Sequence, residues 1–133
     1  MSASKVMNHP VLVGAGQITH REKIVGDSVS AVDLAVRAID ACIQDTGRPE
    51  IRGRIDTLSV VNMMTEFRES PLPGICARAG ISPAFREETS MGGNNPQLLV
   101  NRAADRIMAG ECRVALLAGA EALYRDRKVW QFM

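Results

Sequence analysis

Side chains able to make or break bonds are scarce in this 133-residue chain, so the few present bound its chemistry. The three cysteines, Cys42, Cys76 and Cys112, are widely spaced and odd in number, which argues against a disulfide framework and against a Cys-x-x-Cys metal site. A thiolate nucleophile needs a helix N-terminus, a cation or a nearby base to hold its charge. Cys76 comes nearest to that setting: it follows Pro73-Gly74 in a short helical segment, with Arg78 close by. No base is placed beside it by sequence, and the inert reading stands next to the reactive one. Cys42 and Cys112 fall on apolar stretches and read as small core hydrophobes. His9 and His20, the two histidines, have no partner at metal-ligand or triad spacing, and no metal is expected.

Two glycine turns remain. Gly14-Ala15-Gly16-Gln17-Ile18-Thr19 invites a dinucleotide reading, but Thr19 stands where the third glycine belongs and a polar loop follows in place of a helix. A strand-ending turn fits better. Met91-Gly92-Gly93-Asn94-Asn95-Pro96 opens a helix, whose unpaired N–H groups near Gly93, Asn94 and Asn95 could hold an oxyanion or another anion. The plainer reading is a tight turn with an asparagine cap.

The elements that must position these turns can be read from periodicity. Pro10 to Gly16 is a continuous apolar run ending in glycine, the pattern of a strand covered on both faces. After a polar loop over residues 19–28, Val32, Ala35, Val36, Ile39, Cys42 and Ile43 recur at helical spacing. Ser30 and Asp33 form a capping box, and Gly47 ends the helix. Ile55 to Met64 fits a strand, Ile75 to Ala79 a short helix ending at Gly80, and Phe85 to Ser90 a third strand. Asn95 can cap the next helix, with Pro96 at its first position and Gly110 after its end. Val100, Ala103, Ala104, Ile107 and Met108 make its expected buried stripe, Arg102, Asp105 and Arg106 its wet side. Val114 to Ala118, wholly apolar, is expected as a central fourth strand. Strands and helices alternating in this way predict an α/β fold, a largely parallel sheet with helices on both faces.

Composition narrows the partners. Sixteen basic and fifteen acidic residues leave a formal net charge of +1, so no long-range field favours nucleic acid or an anionic membrane. The run Arg125-Asp126-Arg127-Lys128 mixes signs and reads as a solvated segment. Residues 1–9 lack an apolar leader core, and no stretch approaches the ~20 apolar residues of a membrane span. A cytoplasmic location is expected.

The segment Met91-Gly92-Gly93-Asn94-Asn95-Pro96-Gln97, the helix behind it, Gly110-Glu111, the apolar strand and Ala118-Gly119-Ala120-Glu121-Ala122-Leu123 together resemble the nucleophile region of thiolases. In that family a Cys-x-Ser-Gly turn opens a buried helix, a Gly and an acidic residue close it, and the next strand ends in Gly-Gly-Met-Glu-Ser-Met or a close variant. Counting back from Gly110 puts the family's reactive cysteine on Gly93, with Asn94, Asn95 and Pro96 following. Pro-Val-Leu-Val-Gly-Ala-Gly-Gln-Ile at residues 10–18 and the Gly-rich turn resemble a narrower group, the thiolase-like proteins often labelled acetyl-CoA acetyltransferases. The likeness spans most of residues 10–123 and is strongest after residue 89.

This resemblance implies a thiolase-like N-terminal half, incomplete, with residues 1–133 as a partial domain. The family's second half supplies a histidine and another cysteine and has no counterpart here, which implies a fragment, a truncated product or a split subunit. It further implies an acyl-CoA acyltransferase-like protein of lipid metabolism, a CoA thioester as substrate with no resident cofactor, and a homodimer in the full-length form. Catalysis by this chain alone is not expected. The alternative is a non-catalytic thiolase-fold subunit that binds or scaffolds.

Overall fold

The computed structural model describes residues 8–21, 29–64 and 69–122. The basic and acidic run at 125–128 and most of the expected polar loop lie outside the described residues.

Helix α1, Ala31–Asp45, begins where the capping box sets it. The Ser30 hydroxyl accepts the Asp33 N–H at 3.1 Å, and the Asp33 carboxylate accepts the Ser30 N–H at 3.0 Å. Gly47 follows the helix with φ of +66°, a left-handed conformation that glycine adopts without a Cβ clash. A 3₁₀ turn that periodicity did not predict, Pro49–Arg54, carries the chain to strand β1, Thr57–Val60. Helix α2, Leu72–Ala79, starts earlier than expected: Pro73 lies in its first turn, where a missing N–H costs nothing, so it opens the helix instead of marking a loop. Strand β2 is Phe85–Glu88, helix α3 is Asn95–Met108 and strand β3 is Ala115–Ala118.

The three strands form one parallel sheet in the order β2-β1-β3. Thr57 pairs with Phe85 on one side and Ala115 on the other, and Val60 with Glu88 and Ala118. Alternation along β1 divides the layers. Leu58 and Val60, with Leu116, join the core cluster that holds Ala35, Ile39 and Ile43 of α1 and Ile75 and Ala79 of α2. Ser59 points the other way: its hydroxyl donates to the Glu87 carboxylate at 2.8 Å, which also accepts from Arg102 of α3 at 3.1 Å. Helices therefore cover both faces, α1 and α2 on one, α3 on the other.

Two expectations are corrected. The apolar strand expected to be central is β3, which lies at the edge of the described sheet. The central place belongs to β1, buried at every position, because both neighbours pair to it. Residues 10–16 form no strand. They lie along the C-terminal part of α1, where the Ala15 N–H donates to Asp45 at 2.9 Å and a Cβ on Gly14 would come within 2.6 Å of the Cys42 carbonyl. The run joins neither open edge of the sheet and leaves Val11 73% and Leu12 88% exposed. The glycines of the Gly-Ala-Gly turn thus permit close approach to a helix.

The stripe on α3 is also rotated from the expected one. Asn95, Leu99 and Ala103 face the core, while Val100 is 51% exposed and Met108 is exposed as well. Arg106, expected on the wet side, is half-buried, with its guanidinium 3.8 Å from the centre of the Phe85 ring.

Candidate functional site

The turn from Ser90 to Asn95 brings the N-terminus of α3 to the carboxyl-terminal end of the sheet, the end at which open α/β sheets bind ligands. Asn94, not Asn95, is the N-cap, and its side chain makes no capping bond. Asn95 is the first helical residue and is buried. Its N–H donates to the Gly92 carbonyl at 3.1 Å, and its side-chain amide donates to the Ser90 carbonyl. Asn95 thus ties the turn together. Pro96 brings no N–H, so the donors available to an anion here come from fewer residues than a bare helix N-terminus offers.

Gly93, where the resemblance places the nucleophile, is exposed at the tip of this turn. A Cβ added there meets nothing within 4 Å, and its φ is not among the positive ones. Neither space nor backbone requires glycine at this position.

Beside the turn lies a cavity of about 420 Å³. Pro96, Leu99 and Val100 of α3 form one wall, Val61 just past β1 and Leu117 of β3 another, and Glu121 closes a rim. The Glu121 carboxylate accepts the Met64 N–H, which links the chain after β3 to the chain after β1. Sequence reading placed the turn but missed these walls. Their signal was the end of each parallel strand, where a crevice is expected.

None of the three thiols lines the cavity. Cys112 precedes β3 at the opposite end of the sheet and donates to Asp56 Oδ1 at 3.1 Å. Burial pushes its thiol pKa up, and hydrogen bonding to Asp56 and the charge of that carboxylate add to the rise. Asp56 itself is held below the ordinary carboxylate value. Burial alone would raise it, but bonds from the Arg113 N–H at 2.9 Å, the Cys112 thiol and the Val114 N–H outweigh that cost. Cys42 is also pushed up, by burial first and then by Asp45. Cys76 is buried in α2. His9 and His20 lie in the 8–21 segment, away from the cavity lining. Among the described residues no group of His, Cys, Asp and Glu could hold a metal ion, and no helix is long and apolar enough to cross a membrane.

A parallel sheet covered on both faces, with a helix opening from a Gly-rich turn at its carboxyl end, is the arrangement of thiolase-fold proteins, and comparison with solved structures finds that fold. A monomeric SCP2-thiolase-like protein type 1 from Mycobacterium smegmatis superposes with a TM-score of 0.74 and 30% identity, over 86% of this chain and 24% of that one. An acetyl-CoA acetyltransferase from Syntrophomonas wolfei matches with a TM-score of 0.65 and 25% identity, over 84% of this chain and 28% of that one. The 3-oxoacyl-[acyl-carrier-protein] synthase III of Aquifex aeolicus matches with a TM-score of 0.62 and 16% identity, over 75% and 32%. The chain therefore has the thiolase-type fold and spans about a quarter to a third of the length of these proteins. No family model and no curated protein sequence matches it.

Proposed function

We propose that this chain forms the acyl-thioester-facing part of a thiolase-fold, acyltransferase-like protein and that, alone, it binds CoA thioesters without transferring their acyl group. One observation carries the reading: the apolar cavity at the carboxyl ends of β1 and β3 lies beside the α3 N-terminus, whose turn bears Gly93 where the family resemblance puts a thiol. Acyl transfer by that route needs a thiolate to attack the thioester carbonyl and expel the CoA thiol. Gly93 offers none, and Cys42, Cys76 and Cys112 lie elsewhere. What the turn retains is backbone polarity near Gly93 and Asn94, suited to a thioester oxygen.

The same observation supports the second reading, a binding or scaffolding subunit with no transferase role. The CoA thioester enters as ligand or substrate, with no resident cofactor or metal, in a cytoplasmic protein of lipid metabolism. The likeness to the named acetyl-CoA acetyltransferase supports the acyl-CoA assignment. A homodimer is our reading of its full-length assembly, although the relative from Mycobacterium smegmatis is described as monomeric. Light scattering on the purified protein decides between them. The function itself is tested by incubating the chain with acetyl-CoA or acetoacetyl-CoA, following free thiol release, and measuring binding by calorimetry. Saturable binding with no thiol release is expected. Steady turnover refutes the loss of catalysis, and absence of binding removes the acyl-CoA assignment.

A further inference from the structure

We propose that Glu121 makes the cavity selective for acyl groups with an uncharged end and excludes acyl thioesters ending in a carboxylate; this rests on the acyl-thioester reading above. At about 420 Å³ the cavity falls near the lower end of the range for small-molecule sites, enough for an acyl group but not for a whole CoA thioester. Its walls are largely aliphatic: Val61, Leu99, Val100 and Leu117 meet an acyl chain, and Asn62 is the one uncharged polar side chain beside them among the described lining residues. Among the described residues that line it, Glu121 is the one charged side chain, with no base beside it.

Its carboxylate is also fixed in place. Bonding to the Met64 N–H anchors Glu121 between the chain segments leaving β1 and β3, so it cannot swing away from an incoming anion without breaking that bond. A second carboxylate brought into the cavity loses water, meets the like charge of Glu121 and finds no cation among the described lining residues. A methyl end loses nothing comparable. Discrimination arises from repulsion of the wrong ligand as much as from attraction of the right one.

The test compares hexanoyl-CoA, adipoyl-CoA and the methyl ester of adipoyl-CoA, each binding to the full 133-residue chain by calorimetry. Expected are saturable binding of hexanoyl-CoA, binding of adipoyl-CoA weaker by roughly tenfold or more, and recovery with the ester. In Glu121→Gln, whose amide oxygen still accepts from Met64, the gap between hexanoyl-CoA and adipoyl-CoA should shrink to within about threefold. Equal binding of hexanoyl-CoA and adipoyl-CoA to the unaltered chain, or a gap that the folded variant leaves unchanged, overturns the role of Glu121 while leaving the acyl-thioester reading intact. The ester comparison needs no variant, so a misfolded Glu121→Gln still leaves a decision: an ester that binds as poorly as adipoyl-CoA refutes charge as the cause. Failure of hexanoyl-CoA itself to bind overturns the underlying reading, and the selectivity with it.

Discussion

Gly93→Cys puts a thiol where the family resemblance expects one, and the structure allows its effect to be worked out. The added Cβ meets nothing within 4 Å and the backbone is not left-handed, so the folded state gains no strain. Replacing glycine also restricts the unfolded chain, which stabilises the protein by about 0.4–1 kcal/mol at a compatible site. The thiol starts from an ordinary value of about 8.5. A charge at a helix N-terminus gains about 0.3–1 kcal/mol, and with about 1.36 kcal/mol per pKa unit the thiol falls by roughly 0.2–0.7 unit. The lower part of that range is favoured, because Asn95 already spends its N–H on Gly92 and Pro96 has none to give.

The native thiols supply the comparison within one molecule. Burial pushes Cys42 and Cys112 up, and Cys76 is buried, so the introduced thiol should be labelled by iodoacetamide first, at a rate whose pH dependence reports its pKa. Intact-mass measurement after incubation with acetyl-CoA should then show a single acetyl adduct: the thiolate attacks the thioester carbonyl, the carbon–sulfur bond to CoA breaks, and the CoA thiolate leaves and takes up a proton. A fitted pKa above about 8.5, or labelling no faster than that of the three native cysteines, would falsify the placement of this turn at a helix N-terminus open to solvent. Destabilisation by more than about 1 kcal/mol would contradict the open space at Gly93.

Two further outcomes follow from the scaffold. Ser30→Ala removes the hydroxyl that accepts the Asp33 N–H and should cost about 1 kcal/mol, a fall in Tm of roughly 3–5 °C in a thermal melt; an unchanged Tm contradicts the capping box. Asp33 is held low by the Ser30 N–H and hydroxyl, then Arg78, and Asp56, against the pull of its burial, by its three donors. Both folded-state values lie below the ordinary 3.8, so the stability they add is complete above that pH and is lost as the pH falls through the lowered values. Urea midpoints measured down from pH 6 should drop below about pH 4, and Asp56→Asn should flatten that drop. A midpoint independent of pH in that range refutes the assignment.

Local signals gave the elements whose ends carry their own chemistry. The Ser30-Asp33 box, and glycines at 47, 80 and 110 that take positive φ, mark boundaries that depend only on neighbouring residues. Elements defined by their partners were not legible in this way. The run at 10–16 has a buried strand's composition, but a strand exists only where it pairs, and this run packs on α1 instead of on an edge of the sheet. Centrality also depends on partners: Val114 to Ala118 is more apolar than Thr57-Leu58-Ser59-Val60, yet the Ser59 hydroxyl is tolerated at the centre because it finds Glu87 on the neighbouring strand. A rotation of one residue on α3 exchanged Val100 for Leu99 in the core, a distinction that helical periodicity alone cannot make when both neighbours are aliphatic.

The candidate site divides along the same line. Counting from Gly110 back to Gly93 by the spacing of the resembled family locates the turn, and the Asn-Pro start and Gly110 stop of the helix are local signals. What the turn faces depends on the parallel register that sets Val60 beside Ala118 and so brings Val61, Leu117 and Glu121 around one space. No spacing between residues 61 and 121 encodes that meeting. Asn95 shows the consequence for chemistry: the sequence reads it as a cap whose N–H could meet an anion, whereas in the fold both its N–H and its side chain are spent on the turn. On the proposed reading the groups that remain for a thioester are therefore Gly93 and Asn94 at the tip and the aliphatic wall behind them, an arrangement suited to an acyl group and without a thiol to take it.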